Sequence, residues 1–424
     1  MSKSRYILNL AVVLVLLCVS LLACLALIRA LPGRYAYYLP EPLQALRHNP
    51  HPDTLPTPQL SPQLTVALTA PPTPTTQPTT QPTNQPTTPP TTQPTTQPTT
   101  PPTPARFVLT GLRHEHQGWN NCGPATIAMA LSYWGREETQ NDTAPVLKPD
   151  PEDKNISPWE MEAYTRGLGL GAIVRVGGSL GRLKTLVSAG FPVVVETWYV
   201  RDAQDQLGHY RLIIGYDDAT REFFTYDSLH GPDVTIGYQE LDELWRVFNR
   251  TYIVVYPLEK WESLAAILGP DVYDTTMYEQ ALDVGRIEAA SPISDCVAYA
   301  DCADWVTFSW FNVGSSLTSL GRHAEAAIAY DQALQLGLHY RMLWYQFGPY
   351  ESYYGVGRHE DTIALANATL ATTNNLEESY YWRGMARIAQ GDADGARADF
   401  EAALRYHENW SPAAIALAGI EDSP

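Results

Sequence analysis

From about His48 to Pro104 the chain is dominated by Pro, Thr and Gln, with a near-repeat of TTQPTTQP. A segment with so little to bury cannot offset the entropy of its own ordering. The expectation is a disordered Pro/Thr/Gln-rich stalk over 48–105. Its prolines favour a semi-stiff polyproline II ensemble, reaching on the order of 150 Å at ~3.1 Å per residue. This splits the chain: the folded body begins after the stalk, and what precedes the stalk is held away from it.

What precedes it is apolar. Tyr6 to Ile28 carries no charge and is flanked by Lys3 and Arg5 on one side and by Arg29 and Arg34 on the other. A run of more than about 20 such residues is long enough to span a bilayer as a helix. Residues 1–30 therefore read as an N-terminal transmembrane signal anchor, making the membrane one partner. The short N-terminal tail favours a single-pass topology with the body extracytoplasmic. A cleaved signal peptide, or a lipoprotein signal with Cys24 following Leu21-Leu22-Ala23, gives the same sidedness. The stalk then acts as a spacer.

The chain has 424 residues and 45% hydrophobic composition, enough for two folded domains. Its net charge of −18 argues against a nucleic-acid partner and against docking on anionic lipid. There are five cysteines, with neither a CxxC pair nor a Cys/His grid at zinc spacing. No cofactor or metal is expected. The acidic stretch KPDPEDKN, Lys148 to Asn155, lacks calcium-loop spacing and reads as a solvated loop. Cys296 and Cys302 are close enough in sequence to pair in an oxidising compartment.

Residues 106–258 read as α+β. A helix follows Cys122 and another covers roughly Ser157 to Leu168, with Ser157 and Pro158 at cap and first-turn positions. Four runs rich in β-branched and aromatic residues follow as strands: FPVVVETWYV, HYRLIIGYD, EFFTYD and TYIVVYP. The order suggests helices first and an antiparallel sheet after.

The chemistry centres on HQGWNNCGPATIAMALSYWG, His116 to Gly135. Gly123 and Pro124 suit a sharp turn into a helix, and Ile127, Leu131 and Trp134 share one face of it. Cys122 is thereby placed at a helix N-terminus, where unpaired N–H groups and the dipole favour thiolate. A nucleophilic cysteine also needs a base. His209 opens one strand and Asp227 closes the next. With a turn centred on Asp218 the two would stand directly opposite, within about 5 Å at Cβ. A carboxylate there could orient the imidazole. Gln117 could supply one half of an oxyanion hole and the Cys122 backbone N–H the other.

A Gln-to-Cys-Gly-Pro-Ala helix, a Gly-His strand ending in Gly-Tyr-Asp and an aromatic strand ending in Asp together resemble the C39-like branch of papain-fold cysteine peptidases, over about Phe107 to Pro257. The resemblance implies a papain-like peptidase domain with Cys122 as nucleophile, His209 as base, Asp227 as orienting acid and Gln117 as oxyanion donor. One departure is visible: better-known members place the glutamine one residue earlier, where this chain has His116. His114, His116 and His230 read as surface or cleft-lining residues. The implied activity is hydrolysis of a peptide or isopeptide bond in a peptide or protein substrate. The alternatives are an acyl transferase with the same residues, or a non-catalytic binding scaffold.

Beyond Pro257 the strand signals stop, and a helical connector over 259–304 leads to a period near 34 residues. Trp310, Val313, Gly314, Leu317, Gly321, Ala326, Tyr330 and Ala333 recur as Tyr380, Gly384, Gly391, Ala396, Phe400 and Ala403, with an irregular middle copy that gains two residues. Ser411 to Ile420 reads as a capping helix. This pattern resembles tetratricopeptide repeats and makes 305–424 an all-α helical-repeat domain. Such stacks present a concave surface to a protein partner. The repeats are expected to recruit or orient substrate and to take no part in bond cleavage.

Overall fold

The computed structural model describes residues 103–201, 205–299 and 301–421, with a few positions between 16 and 56. Most of the stalk and the first half of the expected span Tyr6–Ile28 lie outside the described residues. Residues 18–29 are helical, and no helix among the described residues is long and apolar enough to cross a membrane. Leu55, inside the expected stalk, is buried against the main core.

Seven antiparallel strands form the first half. They are β1 (Arg106–Val108), β2 (Gly171–Arg175), β3 (Val193–Val200), β4 (Gln206–Asp217), β5 (Glu222–Asp227), β6 (Gly231–Gly237) and β7 (Tyr252–Tyr256). Their order is β2-β7-β3-β4-β5-β6, and β1 also pairs with β4. All four expected strand runs are present. The strands that sequence reading missed, β1, β2 and β6, are short or carry glycines that weaken the alternation signal. Helices are interleaved with the strands: β2 falls between α3 (Pro158–Gly167) and α4 (Leu180–Ser188), and α5 (Tyr238–Arg246) falls between β6 and β7. The earlier helices are α1 (Cys122–Tyr133) and α2 (Gln140–Leu147). Helix α3 starts as its sequence indicates. Ser157 accepts from the Glu160 N–H and Glu160 from the Ser157 N–H, closing a capping box.

The connector supplies α6 (Trp261–Leu268) and α7 (Asp274–Ala289), then a non-helical segment in which Cys296 and Cys302 are disulfide-bonded. The C-terminal half is all helix: α8 (Asp304–Ser319), α9 (His323–Gln335), α10 (Gly348–Gly355), α11 (His359–Thr372), α12 (Glu377–Ala389), α13 (Ala393–Tyr406) and α14 (Ser411–Glu421). The recurring glycine has a packing reason. A Cβ at Gly314 would lie 2.6 Å from the Tyr330 ring, and one at Gly384 would lie 2.6 Å from the Phe400 ring. In each pair a large ring on the second helix needs a bare backbone on the first. In the irregular middle copy, a 3₁₀ turn (Tyr340–Trp344) and the eight-residue α10 stand where a full helix would be expected.

The two halves share one hydrophobic core. Trp198 of β3 is fully buried, with ring centroids 5.8 Å from Phe248, 6.1 Å from Phe308, 5.5 Å from His339 and 6.2 Å from Tyr345. Arg341 bonds Asp205 Oδ1 at 2.6 Å and the Gln206 carbonyl at 2.8 Å. Asn312 Nδ2 donates to the Arg246 carbonyl at 2.7 Å.

Candidate active site

Cys122 is the first residue of α1, and the next nine residues of the helix are buried. Its sulfur accepts hydrogen bonds from the backbone N–H groups of Tyr210 and Gly123. Tyr210 directly follows His209, so the helix start is fixed against the strand that carries the histidine. Burial nonetheless pushes the Cys122 thiol above its ordinary value, outweighing the two N–H groups and the nearby Lys148 ammonium. The N–H groups at the helix start favour thiolate, as the sequence indicates, but burial opposes them and is the larger effect.

His209 is 2% exposed, and its Nε2 lies 2.9 Å from Asp227 Oδ1. Burial lowers the affinity of the imidazole for a proton, and Asp227 opposes this only in part. With Nε2–H donating to Asp227, Nδ1 is the ring nitrogen left to accept a proton. Asp227 also receives Arg211 Nε at 3.1 Å and the backbone N–H groups of Leu229 and His230 at 2.9 and 3.1 Å. Burial works against its charge, but these donors hold its carboxyl well below the usual carboxylate range. Burial thus favours the neutral thiol and the neutral imidazole, while the donors around Asp227 favour its charged form. Alkylation of Cys122 in the free chain is accordingly expected to be slow at pH 7 and to climb roughly tenfold per pH unit into the alkaline range. Iodoacetamide labelling followed by mass spectrometry would measure this, and a rate already flat below pH 7 would show a preformed thiolate instead.

The register differs from the expected one. The pairs Leu212↔Tyr226 and Ile213↔Thr225 give way to Gly215↔Phe224 across a bulge, and a four-residue turn joins Asp217 to Glu222. Asp227 therefore falls opposite Arg211, and it reaches His209 diagonally. A slip of two residues keeps every side chain on its face, which is why the two residues still meet.

Gln117 is strapped to the residue after Asp227. Its N–H donates to the Ser228 carbonyl at 2.8 Å, and its Oε1 accepts from Ser228 Oγ at 2.8 Å. The amide NH₂ is the end not held by Ser228. His116 is exposed, and its carbonyl accepts from Gln140 Nε2 at 2.6 Å. His114 Nε2 bonds the Asp227 carbonyl at 3.0 Å. His230 stacks obliquely on Tyr199 at 5.4 Å.

Three residues at the site were missed by sequence reading. Arg211 shares the His209 face, and its position two residues on in a strand was a usable signal. Glu196 interrupts the apolar run of β3. It is 5% exposed and lines the cavity beside Cys122 with Ile156, Gly208, Tyr210 and Tyr345. Burial raises its carboxyl to about 8, so it is largely neutral at pH 7. Tyr345 comes from the repeat half. It lies so close to Gly208 that a Cβ there would meet its ring at 3.1 Å. No local pattern could have announced that contact. The acidic stretch Lys148 to Asn155 is also not the solvated loop expected: Lys148, Asp153 and Asn155 are buried.

A cysteine-led helix packed on an antiparallel sheet, joined to a stack of paired helices, defines the class. Residues 89–256 match the Peptidase_C39 like family, and residues 309–336 and 377–409 match the tetratricopeptide repeat. The chain carries a C39-like peptidase-family domain followed by tetratricopeptide repeats. Among solved structures, a candidate C39-like peptidase from Bacillus anthracis is 16% identical, with a TM-score of 0.30, covering 35% of this chain and 96% of that one. No curated protein matches.

Proposed function

We propose that the protein is a cysteine peptidase tethered to the membrane and acting outside the cytoplasm. Cys122 is the nucleophile, His209 the general base and then acid, Asp227 the orienting carboxylate and Gln117 an oxyanion donor. The observation that carries this reading is the 2.9 Å bond from His209 Nε2 to Asp227 Oδ1, on a strand whose next amide holds the Cys122 sulfur. On substrate binding, His209 Nδ1 takes the thiol proton as the sulfur attacks the carbonyl carbon. The oxyanion is met by the Cys122 N–H and the Gln117 amide. His209 returns the proton to the leaving amine, and water then releases the acyl group from sulfur. A neutral pair fits this sequence, because the proton moves only when substrate arrives. Incubation with a peptide library should yield a Cys122 acyl-enzyme by mass spectrometry and hydrolysed products. Products formed without any Cys122 adduct would remove the covalent route.

Tethering rests on the uncharged run Tyr6–Ile28, and the extracytoplasmic side is supported by the Cys296–Cys302 disulfide. External protease on intact cells should cut the stalk and shed both folded halves together. Protection of that fragment until lysis would place the body inside. The repeats are proposed to hold a protein substrate or partner near the cleft.

A further inference from the structure

Far from Cys122 in sequence, the last repeat meets the 148–160 segment across a seam rich in carboxyl groups. Asp153 and Glu377 are 5% and 4% exposed. Glu160 lies in the first turn of α3, and Glu377 and Glu378 lie in the first turn of α12. One oxygen each from Glu160 and Glu377 and a ring nitrogen of His407 lie within 4.8 Å of one another.

Most of these groups have one partner. His407 Nδ1 and Glu377 Oε1 are 2.7 Å apart, and Glu160 Oε2 accepts from the Ser157 N–H at 2.7 Å. Asp153 Oδ1 accepts from the Asn155 N–H at 3.0 Å, and Asn155 Nδ2 reaches Glu378 Oε1 at 3.4 Å. Glu378 Oε2 has none: it is buried without a hydrogen-bond partner. The cationic groups facing the seam are His407 and, beside Asp153, Lys148. Lys148 Nζ already donates to the carbonyls of Trp119 and Pro151. Four carboxyls thus face little compensating charge, a strongly unfavourable arrangement in a buried seam.

Either bound protons or a bound cation can relieve it. Two carboxylates and an imidazole already converge, with one ligand atom of each within 4.8 Å of the others. A mixed nitrogen and oxygen donor set suits a zinc- or manganese-type ion, whereas calcium prefers an all-oxygen shell. We propose that Glu160, Glu377 and His407 form a divalent transition-metal site that clips the last repeat to the segment carrying Asn155 and Ile156 into the Cys122 cavity. The ion takes the place of the proton shared by His407 and Glu377.

The test uses the full-length Cys122→Ala chain, without a histidine tag and stripped by chelator. Zn²⁺, Mn²⁺ and Ca²⁺ are titrated separately by calorimetry and thermal melting at pH 7. The expected result is one Zn²⁺ or Mn²⁺ per chain and a melting temperature raised by roughly 5 °C at a hundredfold excess over Kd. His407→Gln and Glu377→Gln should each weaken binding by about tenfold or more, the order seen on losing a group that supports a metal site. If either variant fails to fold, Glu160→Gln, which keeps the cap of its helix, should still show weakened binding. Absence of binding by all three ions, binding by Ca²⁺ alone, or binding unchanged in the variants would each overturn the assignment.

Discussion

Cys122→Ala is expected to abolish turnover while leaving the melt close to that of the parent chain. The substitution removes one sulfur at a helix start and leaves the helix buried along its length. His209→Ala should be nearly as damaging, because the same ring accepts the thiol proton and returns it to the leaving amine. Asp227→Asn is a different experiment. The imidazole survives, so activity should remain measurable, but Arg211 would keep a buried charge opposite a neutral amide. That should cost on the order of 3 kcal/mol of stability. Gln117→Ala should lower turnover by roughly 10²-fold with little change in binding, as for loss of one oxyanion donor. His116→Ala should matter less, since the His116 side chain is exposed. The effects should combine far less than additively if the residues act as one unit. Turnover on a peptide library, paired with thermal melts, measures all of this. A folded Cys122→Ala chain with undiminished hydrolysis would refute the cysteine-peptidase reading.

Deleting residues 305–424 should have the second large effect, and on folding. The cut removes Phe308, His339 and Tyr345 from around Trp198, strips Arg341 from Asp205 and Gln206, and uncovers Phe248. A buried tryptophan deprived of several neighbours is worth about 3–5 kcal/mol, a large fraction of the stability of a typical domain. The fragment ending near residue 304 should therefore melt non-cooperatively or aggregate, and it should lose small model substrates and natural ones alike. Arg341→Ala, a milder cut at the same seam, should cost on the order of 2 kcal/mol. A fragment that melts cooperatively at the parent temperature would show that the halves are independent.

Much of this was legible in the sequence, for definable reasons. Cys-Gly-Pro before an apolar helical stripe and Ser157-Pro158 before another are local signals, and local signals read true here. The His209–Asp227 pair was found despite a wrong turn centre, because sidedness in a strand repeats every two residues. The glycine-to-ring spacing Gly314–Tyr330 and Gly384–Phe400 made the repeats visible, and the two residues gained between copies marked the middle one as irregular. What failed were the statements that depend on burial or on distant chain. The burial that opposes a Cys122 thiolate was not legible, because the depth of its pocket is set by β4 and Tyr345. The Lys148–Asn155 stretch looked solvated because its cover comes from residues more than 200 positions away, with Asn375 donating to Asp150 and Asn155 to Glu378.

Tyr345 lines the Cys122 cavity from the repeat half, and that has a practical consequence for chemistry applied to this protein. An inhibitor optimised on an excised catalytic fragment would be fitted to a binding site with one side missing, and its selectivity would not carry over to the intact chain. Conversely, a ligand that grips the repeats and draws the 340–345 turn aside would widen the mouth beside the thiol without touching it.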